Sequence, residues 1–354
     1  MKVARWYSNA DIRIEDVADP LPRPHEMVVR VISCGICGSD VVEWYRLPRA
    51  PLVQGHEIGA RVVSTGSSVT RFKPGDRVFI APKVPCLECK YCLEGHHPVC
   101  SAVKERLPGG FAEYILVPQG LVDKGTYLLP GSISFDESTF IEPLACAARA
   151  QNLAGLHPGH VLLVMGCGTS GQLHIKLARA KKCIVVATDI NNRRLTVAQN
   201  NGADFIIDAS KNVPEILQSE FDRKADVVVI CTSSPQAIEQ AWKCIDNGGS
   251  VVFFAVPGPD KKVNIPLNEL WTREIRILTS YYCGPQDISY AIDMIASGMV
   301  VVDGLVTHRL SLNEIALGFN KVLQGNESMK VIIKPNEDNG AKKCLTDIDK
   351  GECN

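Results

Sequence analysis

The sequence predicts an α/β protein of two domains, one β-rich and one built on a doubly wound parallel sheet. The chain has 354 residues, which is more than one domain usually holds. Strand-like apolar runs separated by turn residues occupy the first part of the chain. From about residue 151, apolar runs alternate with helical stretches, and this alternation is typical of βαβ units and a parallel sheet.

The β-rich domain is expected over residues 1–150, with residues 291–335 returning to pack on it. Its predicted strands lie at residues 27–32, 58–63, 77–81 and 111–117. A helix is expected between Asp136 and Leu153, where alanines are frequent and Pro143 suits a first helical turn.

The parallel-sheet domain is expected over residues 151–290. Its predicted strands lie at residues 161–165, 183–187, 205–207, 227–230, 251–254 and 277–279. The run Val161-Leu162-Leu163-Val164-Met165 is apolar throughout, as in a parallel strand that is buried on both faces. Residues 336–354 are polar and without periodicity, so we expect a mobile C-terminal tail in which Cys344 and Cys353 have no ligand role.

Composition excludes several functional classes. The formal net charge of −1 and the absence of a basic block argue against nucleic acid as a partner. No apolar run approaches the roughly 18 residues of a membrane span. The N-terminal residues lack the apolar core of a signal peptide. We therefore expect a cytoplasmic protein with reduced thiols and no membrane partner.

Four cysteines form a compact cluster with the spacing Cys86-x2-Cys89-x2-Cys92-x7-Cys100. Four thiolates complete a tetrahedral zinc shell, so the spacing predicts a structural zinc site. The alternative is four reduced cysteines that share a loop by coincidence. His96 and His97 lie inside this lobe and are expected at the surface, because the thiolates already complete the shell.

A glycine-rich segment follows the strand at residues 161–165 and opens a helix. In this context glycines permit a tight turn and the close approach of a pyrophosphate to the helix N-terminus. Asp189, at the end of the next strand, would accept hydrogen bonds from ribose hydroxyls and repel a 2′-phosphate, which favours NAD over NADP. Arg193 and Arg194 act against this preference, and the alternative for Asp189 is a turn or helix-capping residue. The predicted cofactor-binding residues are Gly166, Gly168, Thr169, Ser170, Gly171, Asp189 and Arg194.

A second metal site is predicted from three stretches that lie far apart in sequence. Cys37 lies in Cys34-Gly35-Ile36-Cys37-Gly38-Ser39-Asp40, His56 and Glu57 are adjacent, and Glu142 precedes Pro143. Thiolate, imidazole and carboxylate groups are good zinc ligands, and a catalytic zinc keeps one coordination position open. Only the fold can bring these residues together.

The motifs occur in an order that is similar to the zinc-dependent medium-chain dehydrogenases, and the chain resembles their polyol (sorbitol) and threonine dehydrogenase branch over residues 1–335. This resemblance rests on the Cys37, Gly55-His56-Glu57 and Glu142-Pro143-Leu144 motifs, the four-cysteine lobe, and the glycine segment. It implies a GroES-like catalytic domain, a Rossmann NAD-binding domain, a cleft between them, and a homodimer or homotetramer.

The resemblance also implies roles for individual residues. Cys37 and His56 match catalytic zinc ligands, and Glu57 matches a direct ligand of the polyol branch. Glu142 matches a fourth ligand or a carboxylate that holds the water on the zinc. Ser39 matches the hydroxyl that relays the substrate proton, and Asp40 resembles the carboxylate that orients the ligand histidine.

Two departures from the family pattern concern the substrate. Val42 stands where many relatives have a histidine, so the proton route is absent or passes through Glu43 or water. Tyr281 and Tyr282 stand where polyol dehydrogenases have Arg-Tyr, which removes an arginine that would bind a polyol. The predicted substrate pocket comprises Val42, Glu43, Trp44, Tyr45, Tyr281 and Tyr282.

The expected function is hydride transfer from a secondary alcohol to NAD, with zinc polarising the alcohol oxygen. The substrate class is a polyol, sugar, cyclitol or amino alcohol. One alternative is an NADPH-dependent carbonyl reductase. The other is a non-catalytic nicotinamide-binding or redox-sensor protein on the same scaffold.

Overall fold

The computed structural model describes residues 1–102 and 105–336, and every structural statement below concerns this described part. The expected C-terminal tail, with Cys344 and Cys353, lies outside it from residue 337 onward. The strands of the described part are β1 (Lys2–Ser8), β2 (Asp11–Asp16), β3 (Met27–Gly35), β4 (Leu52–Val53), β5 (Glu57–Thr65), β6 (Arg77–Ile80), β7 (Tyr114–Val117), β8 (Thr126–Leu128), β9 (Val161–Met165), β10 (Ile184–Asp189), β11 (Phe205–Asp208), β12 (Ala225–Ile230), β13 (Ile245–Phe253), β14 (Arg276–Thr279), β15 (Val306–Ser311) and β16 (Lys330–Lys334).

Helices of the described part lie mainly in the second half of the chain. The α-helices are α1 (Glu43–Arg46), α2 (Lys90–Leu93), α3 (Phe135–Ser138), α4 (Ile141–Leu153), α5 (Thr169–Ala180), α6 (Asn192–Asn200), α7 (Val213–Phe221), α8 (Pro235–Cys244), α9 (Leu267–Thr272), α10 (Pro285–Ala296) and α11 (Ile315–Gln324). Short 3-10 segments lie at Gly38–Val41, Leu47–Arg49, His97–Val99, Asp303–Leu305 and Leu312–Glu314, and a π-helical turn lies at Leu121–Gly125.

The first part of the chain and its last strands share one seven-stranded sheet. Its order is β15-β16-β3-β5-β6-β8, with β7 paired to β3. Strands β3 and β5 are antiparallel, and their register places Gly35 opposite Glu57. Strand β16 pairs antiparallel with β3, so the C-terminal segment returns to the start of the chain, as the sequence predicts.

Residues 161–279 form a six-stranded parallel sheet with the order β11-β10-β9-β12-β13-β14. Each strand of its centre is apolar and buried, because helices cover both faces. The strand order reverses between β9 and β12. In such sheets, ligands bind outside the carboxyl ends of the strands at this switch point.

The predicted helix between Asp136 and Leu153 is divided into α3 and α4. Ser134 caps α3 in a capping box with Glu137. Pro143 has no backbone N–H to bond the carbonyl four residues earlier, so continuous helix through this point would lose a hydrogen bond. The helix instead restarts at Ile141, where the proline lies in the first turn of α4. This restart positions Glu142 at the buried start of α4.

Helix α4 joins the two sheets. Its buried side chains pack with α10, with Leu173 and Leu177 of α5 and with Phe79 of β6 in one apolar cluster, while Ala150 packs in the cluster that contains strands of the parallel sheet. No helix of the described part has the length and apolar character that crossing a bilayer requires.

Candidate active site

Two paired strands bring the first candidate ligands together. Strand β3 ends at Gly35 and leads into the loop that carries Cys37, while β5 begins at Glu57 directly after His56. Because Gly35 and Glu57 are partners in the ladder, both loops leave the sheet at the same place. The Cys37 Sγ, a His56 ring nitrogen and a Glu57 carboxylate oxygen all lie within 4.8 Å of one another.

Glu142 lies beside this group and not within it. Its carboxylate falls in a second group with Cys146 and Cys283, and the Cys146 thiol donates to Glu142 Oε1 at 3.4 Å. Burial raises the pKa of the Glu142 carboxyl, while the charge of His56 opposes that rise and Glu57 adds to it. The charges of two of the three members of the first group, His56 and Glu57, therefore act on Glu142.

Asp40 is a fully buried carboxylate that connects several residues of the site. Its Oδ1 lies 3.3 Å from His56 Nδ1 and accepts a hydrogen bond from Arg46 Nη2 at 2.8 Å. Its Oδ2 accepts from the Cys37 backbone N–H at 3.1 Å. Burial alone would raise the pKa of the Asp40 carboxyl, but His56 and Arg46 outweigh burial and hold that pKa below its usual value. Asp40 thus makes the contact with His56 that the resemblance implies.

A buried ion pair joins Glu57 to the C-terminal strand. Lys330 Nζ contacts Glu57 Oε2, and the two side chains are 1% and 2% exposed. The ammonium also lies 5.0 Å from the centre of the Phe140 ring. A side chain at Gly35 would collide with both members of the pair, which explains the glycine in the Cys34-Gly35 dipeptide.

The Ser39 hydroxyl lies between Cys37 and Arg46. Ser39 Oγ donates to Cys37 Sγ at 3.3 Å and accepts from Arg46 Nη2 at 2.8 Å. Glu43, one of the alternatives for a proton route, accepts from the Asn9 backbone N–H at 2.8 Å, and no hydrogen bond joins it to Ser39 among the described residues. The structure therefore gives no support to a route through Glu43.

The donor set suits zinc on chemical grounds. The charges of Asp40 and Cys37 raise the pKa of His56 well above its usual value, although burial opposes them. The site therefore attracts positive charge, and it offers one thiolate, one imidazole and one carboxylate, which are zinc's preferred ligand types.

The four-cysteine lobe is assembled as the spacing predicts. The Sγ atoms of Cys86, Cys89, Cys92 and Cys100 lie within 4.8 Å of one another, and the Cys89–Cys92 separation is 3.6 Å, far beyond a disulfide bond. Hydrogen bonds from the backbone N–H groups of Cys92 and Ser101 lower the pKa of the Cys89 thiol to about 5. The prediction that His97 lies at the surface was wrong, because its ring is buried against Gly284, whereas His96 is exposed.

The glycine segment forms the expected turn between β9 and α5. Gly168 is the N-cap of α5, and Thr169, Ser170 and Gly171 form its first turn. A side chain at Gly171 would collide with the Gly166 carbonyl, so the tight turn requires glycine there. Thr169 Oγ1 donates to the Met329 carbonyl at 2.8 Å, directly before Lys330. This contact connects the turn to the candidate metal group.

Asp189 ends β10 beside this turn and is buried. Its oxygens accept from the backbone N–H groups of Cys167 and Asn191 at 2.7 and 2.8 Å. Arg194 Nη1 lies 3.8 Å from Asp189 Oδ2, and its Nη2 donates to the Gly325 carbonyl at 2.5 Å. A carboxylate and a tight glycine turn at the switch point suit a dinucleotide.

The family profile "Alcohol dehydrogenase GroES-like domain" matches residues 23–126, and the profile "Zinc-binding dehydrogenase" matches residues 171–297. A sorbitol dehydrogenase of Bacillus subtilis is 31% identical over 352 residues, which cover 95% of this chain and 98% of the relative. The human sorbitol dehydrogenase is 31% identical over 342 residues, which cover 92% and 93%. The chain belongs to the zinc-dependent medium-chain dehydrogenases.

A solved structure of this family gives the same picture. A zinc-binding dehydrogenase from Sinorhizobium meliloti, bound to NADP, superposes with a TM-score of 0.85 at 28% identity and covers 94% of this chain and 99% of its own. As a medium-chain dehydrogenase of the polyol branch, the protein is a zinc-dependent oxidoreductase with a nicotinamide cofactor.

The predicted pocket residues of this dehydrogenase differ in exposure, and two of them from distant segments are in contact. Trp44 and Tyr281 are 46% and 54% exposed, and Val42 and Tyr282 are partly buried. Tyr45 and Tyr281, which are far apart in sequence, meet through their hydroxyl oxygens at 2.7 Å.

Sequence reasoning missed two basic residues of the site. Arg46 contacts Ser39 and Asp40, and its position within one turn of the Cys37 segment was a weak signal that could have identified it. Lys330 contacts Glu57 across 273 positions of sequence, and only the pairing of β16 with β3 reveals it.

Proposed function

We propose that this dehydrogenase oxidises a secondary alcohol of a polyhydroxy compound to the ketone, with NAD as hydride acceptor. The observation that carries the proposal is the convergence of Cys37, His56 and Glu57 donor atoms within 4.8 Å. Cys37, His56 and Glu57 would hold the catalytic zinc, and Glu142 would supply a fourth ligand or a neighbouring base. The sorbitol dehydrogenases among the relatives support a polyol as the substrate class.

When bound, zinc supplies Lewis acidity that lowers the pKa of an alcohol hydroxyl, and the nicotinamide takes up the hydride. Residues of the protein then accept and release the proton of the substrate hydroxyl. Because Ser39 Oγ accepts from Arg46 and donates to Cys37 Sγ, the hydroxyl keeps a fixed position beside the metal-binding thiol, where it would exchange its proton for that of the substrate hydroxyl. An arginine cannot accept that proton at neutral pH. The onward route therefore begins at Ser39 and runs to water.

Asp189 supports NAD as the cofactor. Its carboxylate lies at the end of β10, where it would accept the ribose hydroxyls and repel a 2′-phosphate. We expect kcat/KM to be at least tenfold higher with NAD than with NADP, and Asp189→Ser to reduce this ratio. A preference for NADPH in ketone reduction would favour the carbonyl reductase alternative instead.

We expect two zinc ions per chain, a catalytic one held by Cys37, His56 and Glu57 and a structural one held by the four lobe cysteines. We place the catalytic domain at residues 1–150 and 291–335 and the Rossmann domain at 151–290. Free thiols throughout the described part suit a reducing cytoplasm.

A homodimer or homotetramer is supported by the edge of the parallel sheet. Strand β14 pairs only with β13 in the described part and leaves its other edge open. Trp271 and Leu267, on the preceding helix α9, are 80% and 61% exposed. Open edges and large exposed apolar side chains mark association surfaces.

The test is a panel of alcohols read by the absorbance of reduced cofactor. Sorbitol, a cyclitol, threonine and a simple secondary alcohol are each supplied with NAD and with NADP. Zinc- and NAD-dependent oxidation of a polyol is the expected result. If no alcohol is oxidised and no ketone is reduced, while the protein still binds NAD, the non-catalytic alternative replaces the proposal.

A further inference from the structure

Three tyrosines are connected by contacts with one another and with Lys83, and we call this group the tyrosine wall: Tyr45, Tyr281 and Tyr282. Tyr45 belongs to α1, next to Arg46, whose guanidinium lies 5.0 Å from the Tyr45 ring centre and also holds Ser39. Tyr281 meets Tyr45 at 2.7 Å. Desolvation raises the pKa of Tyr282 well above its usual value, and the charges of Cys283 and Glu142 add to this rise. The wall is therefore connected to Ser39 through Arg46, and Tyr282 is close enough to Glu142 to be influenced by its charge.

Lys83 lies against this wall as a buried cation without a carboxylate partner. Lys83 is 8% exposed. Its ammonium nitrogen lies 4.6 Å from the Tyr282 ring centre and 5.3 Å from the Tyr281 ring centre. It donates to the Pro98 carbonyl at 2.7 Å, and no described carboxylate lies within 4.0 Å of it. A buried charge is costly unless it is paired.

Two more cations surround the same tyrosines. The Arg49 guanidinium lies 4.8 Å from the Tyr45 ring centre, donates to the Tyr45 carbonyl at 3.2 Å, and also hydrogen-bonds the Tyr45 side chain. Arg106 is the backbone partner of Lys83 in an isolated antiparallel bridge. Burial is the largest cause that lowers the pKa of Lys83, and the charge of Arg106 is the second. The charges of Arg49 and Arg106 also act on the Tyr281 phenol.

The acidic residues nearby do not neutralise these cations. Asp40 forms an ion pair with Arg46, so its charge does not neutralise the cations beside the tyrosine wall. Glu43 is directed to the Asn9 backbone. Within the described part, Lys83 and Arg49 have no ion pair of 4.0 Å or less, whereas Lys330 and Lys334 each have one.

We propose that Lys83, with Arg49 and Arg106, binds an anionic group of the substrate, so that the enzyme acts on a polyhydroxy compound that carries a carboxylate or a phosphate. The inference rests on the proposed function. The reaction is unchanged: the carbinol carbon gives a hydride to NAD, its hydroxyl gives a proton to solvent, and the ketone forms. The anion pairs with the cations at the far end of the substrate while tyrosine hydroxyls bind its neutral hydroxyls.

The glycine turn gives the cofactor's pyrophosphate a site of its own. That turn lies at the carboxyl end of β9 and the start of α5, whereas Arg49 ends the 3-10 segment after α1, and Lys83 and Arg106 lie between β6 and β7. The cations are thus left for another anion.

The test compares matched substrates on the zinc-loaded enzyme: sorbitol, gluconate and sorbitol 6-phosphate. We expect at least one anionic compound to show a kcat/KM at least tenfold above sorbitol, and which one it is separates carboxylate from phosphate recognition. Lys83→Met should remove most of this difference while leaving sorbitol within about twofold. Arg49→Leu changes an exposed residue, so it folds even if Lys83→Met does not, and should reduce the difference severalfold.

Lys176→Met is the matched control, since Lys176 is a lysine of α5 whose pKa burial also lowers. It should leave the anion preference unchanged. Sorbitol turnover equal to or better than both anionic compounds would overturn the inference and leave the proposed function standing. Equal losses for neutral and anionic substrates, with a raised KM for NAD, would also overturn it, because the cations would then serve the cofactor. Failure of every alcohol would instead contradict the proposed function.

Discussion

The two groups of metal-binding side chains in this dehydrogenase are built in opposite ways. The lobe takes four cysteines from residues 86–100, so one loop supplies the whole shell. The other group takes Cys37 from the loop after β3, and His56 and Glu57 from the start of β5, and Lys330 of β16 pairs with Glu57. A closed local shell can stabilise a loop, whereas a shell assembled by sheet pairing can leave a ligand position for chemistry.

The largest effect is expected at Cys37. Cys37→Ser should reduce kcat/KM by at least about 1000-fold, because Lewis-acid stabilisation by a metal is worth several kcal/mol and each 1.36 kcal/mol is tenfold in rate. Melting should change little, since the lobe is intact. Steady-state kinetics and a melting curve measure both. Cys34→Ser is the matched control: Cys34 is a fully buried thiol on the same segment, so its substitution should lower stability and spare turnover.

Substitution in the lobe should produce the reverse pattern. Cys89→Ser should remove the lobe zinc and lower Tm by at least about 5 °C, because structural zinc contributes folding free energy and 1 kcal/mol corresponds to roughly 2–4 °C in domains of 150–250 residues. Turnover well below Tm should remain within a few-fold of wild type. Cys244→Ala, at a buried thiol outside every metal group of the described part, should lower Tm less. Equal Tm values for the Cys89 variant and wild type would show that the lobe does not stabilise the fold.

Two lysines of β16 offer a comparison within one strand. Lys330 pairs with Glu57 at the zinc group, and Lys334 pairs with Asp136, away from it. Lys330→Met should free Glu57 to bind the metal more strongly. We therefore expect zinc to leave more slowly when a chelator is added. We also expect turnover to fall about tenfold, which corresponds to about 1.4 kcal/mol. Lys334→Met should change neither quantity. Similar kinetics for the two variants would contradict a role for Glu57 as a ligand of the catalytic zinc.

The smallest effect concerns acid stability at Lys334. Burial alone would raise the pKa of Asp136, but hydrogen bonds from Lys334, Ser33 and Arg309 outweigh it and lower that pKa from 3.8. A carboxyl group whose pKa is lower in the folded protein stabilises the fold at pH values above its pKa in the unfolded chain. This contribution is lost as the pH falls through the pKa of the group in the folded protein. Wild type should therefore melt above Lys334→Met by a few degrees at pH 6, and the gap should close below about pH 4. A gap that stays constant down to pH 3 would contradict this.

The comparison also explains what the sequence could predict. The strand at Val161–Met165, the glycine turn and the lobe are encoded by local patterns, and the structure confirms them. Periodicity carries no information on contacts between distant segments. The Lys330–Glu57 pair depends on the pairing of β16 with β3, and the Tyr45–Tyr281 contact depends on how α1 meets the segment after β14.

Glu142 illustrates the same limit at the site itself. Its motif predicted a place beside the zinc, and its carboxylate feels the charges of His56 and Glu57. Its direct neighbours, however, are the thiols of Cys146 and Cys283. Cys146 lies one helical turn after Glu142, which sequence can suggest, but Cys283 arrives from the segment that precedes α10. The choice between Glu57 and Glu142 as zinc ligand is therefore set by tertiary structure.

The most direct test of the central claim is to follow zinc content and turnover together while a chelator removes metal from the wild-type enzyme. We predict that polyol oxidation falls to near zero when the first of two zinc ions per chain has left, that Tm changes little at this point, and that added zinc restores turnover. The second zinc should leave later, with a loss of stability. Full turnover by protein that has lost both zinc ions would contradict the account.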